Sequence, residues 1–497
     1  MKSMIRNIAP RKLLDDFVDS AFQFVDQPLL PSQCNFAPVD ELKEGVRVTD
    51  MVEGIIPDDF SQGVYIRNGP NPLFGGLQST ESMFGRTNHI WMRFGKVNKD
   101  LSNTDVVVHG GKFYAVAETH AAQEFDILTL DAIGEWDING AWDRPFTAHP
   151  KKAPVTGELV IFGMQAFKPF IELGVVSADG EKLLHKVDLN LSRCSLVHDV
   201  GITERYNVIM DFPLTIDLNR LLTGGPLIKY DKQDYARIGV MPRYGNTESI
   251  RWFDVAPNCT FHILNCFEDG NDVVVRACRS LNSILPGPEM WEDKFDWFSS
   301  KFRFGHGDDA ASEDDDVSVF ARCYEWRLNL ETGEVKERNL TGKTEASMDF
   351  PIIHPAFTGL PNRFGYTQTV DSEASSAAGM PKFGGLAKLY FQEPATNCNN
   401  PADNQREEAM IKVEYHEFEK NTFCSGAAFV PKEEEEEEDD GWVITFVHNE
   451  DTHTSKVYII DAKKFSSEPV AKITLPCRVP YGFHGAFMPM SLPVPPM

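Results

Sequence analysis

The chain has 497 residues, 42% hydrophobic and 25% charged, the composition of a globular protein whose core is large enough to fold without disulfide staples. Its formal net charge of −26 sets it against nucleic acid, whose phosphates would repel it, and no basic patch interleaved with aromatics is present. The nine cysteines are odd in number, scattered, and free of any Cys-x-x-Cys pair, which argues for a reducing compartment and against a disulfide framework or a zinc ribbon.

Residues 1–30 read as an N-terminal amphipathic helical segment. From about Arg11 to Val25, Leu13, Leu14, Phe17, Val18, Ala21, Phe22 and Val25 share one face, and Asp15, Asp16, Asp19 and Gln23 the other. Such a face packs on its own domain or makes peripheral contact with a membrane, and its acidic polar side weakens the second reading. Lys2, Arg6, Arg11 and Lys12 are followed by acidic residues and not by an apolar signal core or an acid-poor transit segment. A cytoplasmic location is therefore expected, with the plastid as alternative. No apolar run is long enough to span a bilayer.

Residues 31–497 read as one all-β domain. Short β-branched or aromatic runs recur at Thr104 to Glu118, Glu158 to Met164, Asn207 to Asp211, Thr260 to Phe267 and Val273 to Cys278. They continue at Phe320 to Leu328, Ala387 to Gln392, Ile411 to His416, Trp442 to Val447 and Ser455 to Ile460. Gly110-Gly111, Asp179-Gly180, Glu268-Asp269-Gly270 and Glu331-Thr332-Gly333 have the chemistry of hairpin tips. Trp326 to Leu340 is the clearest hairpin. Many short hairpins at even spacing fit a sandwich, a barrel or a propeller, and no repeat motif selects among them. The acidic runs Asp308 to Asp316 and Glu433 to Asp440 are expected to be solvated loops.

Thirteen histidines are present. His306, His416, His448 and His453 have charged or polar neighbours and are expected to be exposed, while His89, His109, His120 and His185 lie near turns or strand ends. His149, His198, His262 and His484 differ. Each has apolar or aromatic neighbours and falls at the edge of an expected strand. A buried imidazole needs partners for its ring nitrogens, and a metal is one such partner. No local motif of the His-Glu-x-x-His kind links them, and no Gly-x-Ser-x-Gly elbow points to a serine hydrolase.

The segments around these four histidines resemble the carotenoid cleavage oxygenases, especially the plant enzymes. They are Phe146-Thr-Ala-His-Pro-Lys-Lys-Ala-Pro-Val-Thr-Gly-Glu158, Ser195-Leu-Val-His-Asp-Val200, Cys259-Thr-Phe-His-Ile-Leu-Asn265 and Arg478-Val-Pro-Tyr-Gly-Phe-His484. Asn35 to Glu41, Gly63-Val-Tyr-Ile-Arg-Asn-Gly-Pro-Asn-Pro72, Pro242-Arg-Tyr-Gly245 and Ile250-Arg-Trp-Phe253 carry the likeness further, in family order from about Phe22 to the C-terminus. The chain is most similar to the branch that cleaves at the 9,10 (9′,10′) double bonds. The resemblance implies a seven-bladed β-propeller with a dome of loops and helices over the metal. It implies one Fe(II) held by His149, His198, His262 and His484. It implies an apolar polyene and O2 as substrates, cleaved to two carbonyl products. Two further readings stand beside it: the same chemistry on a stilbene or phenylpropanoid alkene, and a degenerate member that binds apolar ligands without turnover.

Three departures follow from the same likeness. The family provides three glutamates behind its histidines. Glu118 matches the first, Asp349 replaces the second with a shorter carboxylate that reaches directly or through water, and Gly426 stands at the third. One histidine is thus expected to lack a carboxylate partner. Between Trp91 and Arg93 the chain omits residues that form much of the family's first blade, so that blade is expected to be truncated near residue 91.

Overall fold

The computed structural model describes residues 35–42, 45–48, 51–71, 102–223, 225–284, 321–342, 347–394 and 410–490. The expected N-terminal helix, its boundary at residue 30, the gap near residue 91, the acidic run from Asp308 and the histidines His89 and His306 lie outside them.

The strands form a seven-bladed β-propeller of antiparallel sheets. Blade 1 pairs Gly63–Arg67 with Gly485–Pro489, so strands from the two ends of the chain close the ring. Blade 2 runs Asp105–His109, Lys112–Val116, Ala122–Phe125, Ala132–Trp136. Blade 3 comprises Lys151–Lys152, Leu159–Met164, Ile171–Val176 and Leu183–Asp188. Blade 4 comprises Gly201–Ile202, Tyr206–Asp211, Ala236–Pro242 and Arg251–Val255. Blade 5 is the long meander Cys259–Asp269, Asp272–Ser280, Ala321–Asn329, Val335–Asn339. Blade 6 holds Met348–Ile352, Phe364–Val370, Phe383–Pro394 and Ile411–Glu417. Blade 7 holds Thr422–Pro431, Gly441–Asn449, Thr454–Asp461 and Ala471–Thr474, with Val52–Gly54 added at its outer edge. A single pair, Phe383 with Cys424, bridges blades 6 and 7.

Local sequence explains most of these elements. Gly110 and Gly111 both have positive φ, which lets the chain reverse between the first two strands of blade 2. Gly333 does the same in the Trp326 to Leu340 hairpin. All the expected runs are strands. Several alternate poorly because they are covered on both faces, whereas Ala321–Asn329 and Thr454–Asp461 alternate buried with half-buried positions. Leu159–Met164 is buried at every position. One core cluster joins Val208, Ile238 and Phe253 of blade 4 to Ile263, Val273 and Trp326 of blade 5. Another joins Tyr114 and Val116 of blade 2 to Leu159 and Ile161 of blade 3. Burial between blades, more than within them, holds the ring together.

Outside the blades, a small sheet of Cys194–Ser195, Leu214–Ile216 and Ile228–Tyr230, with the short helix Leu218–Leu222, departs from the meanders around blade 4. Among the described residues, no helix is long and apolar enough to cross a membrane. The seven described cysteines are free and six are buried.

Two expectations are overturned here. The run Glu433 to Asp440 is not simply solvated. Glu438 accepts from the backbone N–H of Arg363 and Phe364, and Asp439 pairs with Lys388 at 2.7 Å. His416 and His448 are buried, not exposed, because Nδ1 of His416 meets the Phe465 carbonyl and Nδ1 of His448 the Ser455 hydroxyl. Polar partners make these burials affordable: Ser455 stands opposite His448 on the neighbouring strand, and the others come from farther along the chain.

Candidate metal centre

His149, His198, His262 and His484 arrive from four different places in the chain. His149 precedes the first strand of blade 3, His198 precedes blade 4, and His484 precedes the last strand of blade 1. His262 is different: it lies inside Cys259–Asp269, where the register shifts between Thr260 and Ile263 and again between Ile263 and Asn265. The bulge re-aims its side chain, so the expected strand-edge position is corrected to a strand-interior one.

One residue ties three of these segments together. Asp199 accepts from the backbone N–H of Val200 at 2.7 Å and of Ile263 at 2.9 Å, and pairs with Lys151 Nζ at 2.9 Å. A lone parallel bridge joins His149 to Asp199. The carboxylate therefore fixes the spacing of the segments that carry His149, His198 and His262.

The imidazoles converge through Nε2. His149 and His198 are 3.1 Å apart there, His198 and His262 3.2 Å, and His262 and His484 3.2 Å. Contacting ring planes stand at 67° to 76° to one another. On the other nitrogen, His262 Nδ1 meets Asp349 Oδ1 at 2.7 Å, His198 Nδ1 contacts Glu118, and His149 Nδ1 meets Asp105 Oδ2 at 3.2 Å. A carboxylate there places the proton on Nδ1 in these three rings, so the Nε2 atoms of His149, His198 and His262 turn bare lone pairs towards the centre of the cluster. Lone pairs cannot hydrogen-bond one another. A cation between them resolves the repulsion, and the four ligand atoms lie within 4.8 Å, close enough to share one.

Burial favours neutral rings. It holds His149 and His484 well below the usual histidine range, helped by their histidine neighbours. Burial also pushes His198 down, but the Glu118 carboxylate outweighs it and the net shift is upward. The Asp105 carboxyl is pushed up to about 7 by burial. Aromatic rings line the cluster: Phe261 stacks on His198 at 4.9 Å, and Phe350 packs against His262 and His484 at 5.0 and 4.7 Å. Phe350 has φ of 54°, a left-handed conformation costly for a bulky side chain, and the Asp349 carboxylate accepts its backbone N–H at 2.8 Å.

The family profile described as retinal pigment epithelial membrane protein (RPE65) matches residues 77–489. A carotenoid 9,10(9′,10′)-cleavage dioxygenase 1 of Pisum sativum is 31% identical, over 91% of this chain and 89% of that protein. Its counterpart in Arabidopsis thaliana is 34% identical over 78% of this chain, and the match spans 66% of that relative's length. The chain belongs to the RPE65, or carotenoid oxygenase, family. It is an oxygenase enzyme. The lignostilbene dioxygenase of Pseudomonas brassicacearum shares the fold, with TM-score 0.70 and 22% identity over 88% of this chain and 94% of that one. So does a cobalt-substituted Synechocystis ACO, with TM-score 0.68 and 17% identity over 94% of this chain and 100% of that one.

Set in this carotenoid oxygenase fold, the departures take physical form. Asp349 reaches His262 directly, without a bridging water, despite its shorter side chain. At Gly426, with φ of 73°, a Cβ would overlap the Arg67 stem, so the space for a larger side chain is taken. Arg67 donates to Ser425 Oγ at 2.8 Å and sits 5.1 Å from the Phe446 ring, while its Nε has no hydrogen-bond partner among the described residues. Among the described residues no carboxylate partners His484. Asp105 is the residue that sequence reasoning misses. Its signal is weak: one acid before three valines. The hairpin register explains its position, for Asp105 pairs with Val116, which puts Asp105 and Glu118 at the same end of blade 2.

Proposed function

We propose that His149, His198, His262 and His484 hold one Fe(II) ion, and that the chain uses it with O2 to cleave a C=C double bond of a carotenoid or apocarotenoid. Convergence of four Nε2 atoms carries this reading. Imidazole nitrogens suit Fe(II), and four neutral ligands leave it its 2+ charge and open positions. When bound, the iron supplies the activation of O2 beside the alkene. The rest falls to the protein. Glu118 and Asp349 orient two of the rings, Asp199 keeps three ligand segments in register, and Phe261 and Phe350 hold water away from the centre. The names of the pea and Arabidopsis relatives support cleavage at 9,10 (9′,10′), giving two carbonyl products. No general base is required, because both oxygen atoms enter from O2.

The fold shared with a lignostilbene dioxygenase favours a second reading, the same cleavage of a stilbene or phenylpropanoid alkene. Relatives named chloroplastic favour the plastid over the cytoplasm as the site of action.

The test is turnover by anaerobically iron-loaded protein, exposed to O2 with a β-apocarotenal or with a hydroxystilbene, and mass spectrometry of the aldehydes. Dialdehyde or ketone fragments from the polyene support the first reading, and stilbene aldehydes alone support the second. Folded, iron-loaded protein that cleaves neither refutes the enzymatic assignment and leaves an apolar-ligand binder. His198→Ala is expected to abolish iron retention; activity that survives it overturns the ligand set.

A further inference from the structure

Among the described residues three carboxylates stand behind the histidines, yet they are not distributed as the likeness to the family implies. Among the described residues His484 has none, and the Arg67 stem fills the space at Gly426. His149 has one, Asp105, with Oδ2 3.2 Å from its Nδ1. Asp105 is well anchored. Its Oδ1 accepts from the Val106 N–H at 2.7 Å, and its carbonyl accepts from Asn68 Nδ2 at 3.0 Å. Asn68 also donates its backbone N–H to the His484 carbonyl at 3.1 Å and accepts from the Phe483 N–H at 2.9 Å. The same few residues thus hold the Asp105 carboxylate and the His484 backbone in one frame.

From this placement we infer that Asp105 is a positioning residue for His149, supplying on that side of the ring the support that His484 lacks at Gly426. The inference rests on the metal-centre reading given above. Asp105 fixes the proton of His149 on Nδ1 and so commits Nε2 to the metal. It touches neither substrate nor metal. Asn68 is the joint through which the carboxylate-bearing strand of blade 2 and the His484 segment of blade 1 keep a constant relation.

The test is Co(II) titration of metal-free protein, followed by its visible absorbance and by the rise in melting temperature, with wild type, Asp105→Ala, Asp105→Asn and Glu118→Ala compared. Loss of a carboxylate behind a metal-bound histidine lowers affinity about 10–100-fold, and Asp105→Ala is expected in that range beside Glu118→Ala. Asp105→Asn keeps an acceptor of the same shape and is expected at the low end, about tenfold. Metal-free melting of both Asp105 variants is expected to stay within about 2 °C of wild type. A purely structural role would instead lower metal-free melting and leave the Co(II) affinity unchanged, and that result overturns the inference. Should Asp105→Ala not fold, wild-type affinity in Asp105→Asn overturns it equally. Wild-type protein that binds no Co(II) refutes the metal centre itself, whereas tight binding by wild type and by Asp105→Ala alike refutes only the role of Asp105.

Discussion

Removal of the Asp439 carboxylate is expected to be among the most destabilising single changes in the molecule. Lys388 is 1% exposed, and its ammonium meets Asp439 Oδ2 and the Ala462 carbonyl, each at 2.7 Å. The rings of Phe364 and Tyr390 lie 4.4 and 4.8 Å from the charge. At 2.7 Å and an effective dielectric of about 20, the Coulomb attraction is about 6 kcal/mol, much of it offset by the desolvation of both ions. Asp439→Ala leaves the ammonium buried and uncompensated, at a cost of about 3–5 kcal/mol. That is a large share of a typical unfolding free energy of about 5–15 kcal/mol. Replacing both partners, as in Lys388→Met with Asp439→Leu, removes the ions together and is expected to fall within about 1 kcal/mol of wild type, or to stabilise. Urea unfolding followed by tryptophan fluorescence measures all three proteins. An Asp439→Ala midpoint matching wild type would show that Lys388 reaches water in solution, and the argument from its burial would fail.

Asp349→Ala removes the partner of His262 Nδ1, and Co(II) affinity is expected to fall about 10–100-fold; an unchanged titration would remove Asp349 from the centre. Gly426→Glu is expected to destabilise the fold by about 2 kcal/mol or more, since the new Cβ overlaps Arg67 and φ is positive, and thermal melting checks it. Burial lowers His448 from its usual range to about 4. The unfolded chain therefore binds more protons than the folded one between about pH 6.5 and pH 4, and stability is lost as pH falls through that window. The loss is of order 2–3 kcal/mol, and unfolding measured against pH should flatten there in His448→Gln; an unaltered slope would assign it to other groups.

Sequence by itself determined what depends on neighbours along the chain. The β-branched runs became strands, Gly110-Gly111 and Glu331-Thr332-Gly333 became turns, and Trp326 to Leu340 became a hairpin. Periodicity did not select the propeller, because blades covered on both faces lose the alternation that marks a one-sided sheet. His149, His198, His262 and His484 were legible through their likeness to a family and not through spacing, for they stand on separate blades and no local motif can join them. Tertiary structure alone decided the rest. Asp105 becomes a partner of His149 only when blade 2 stands beside the start of blade 3. Asp199 becomes a clip only when Lys151 and Ile263 flank it. The acidic run to Asp440 reads as solvated until Lys388 and the backbone of Arg363 arrive from blade 6. In each case a charge that looks solvent-bound in sequence is held inside by a partner distant along the chain, and pairing of that kind leaves no trace in local pattern.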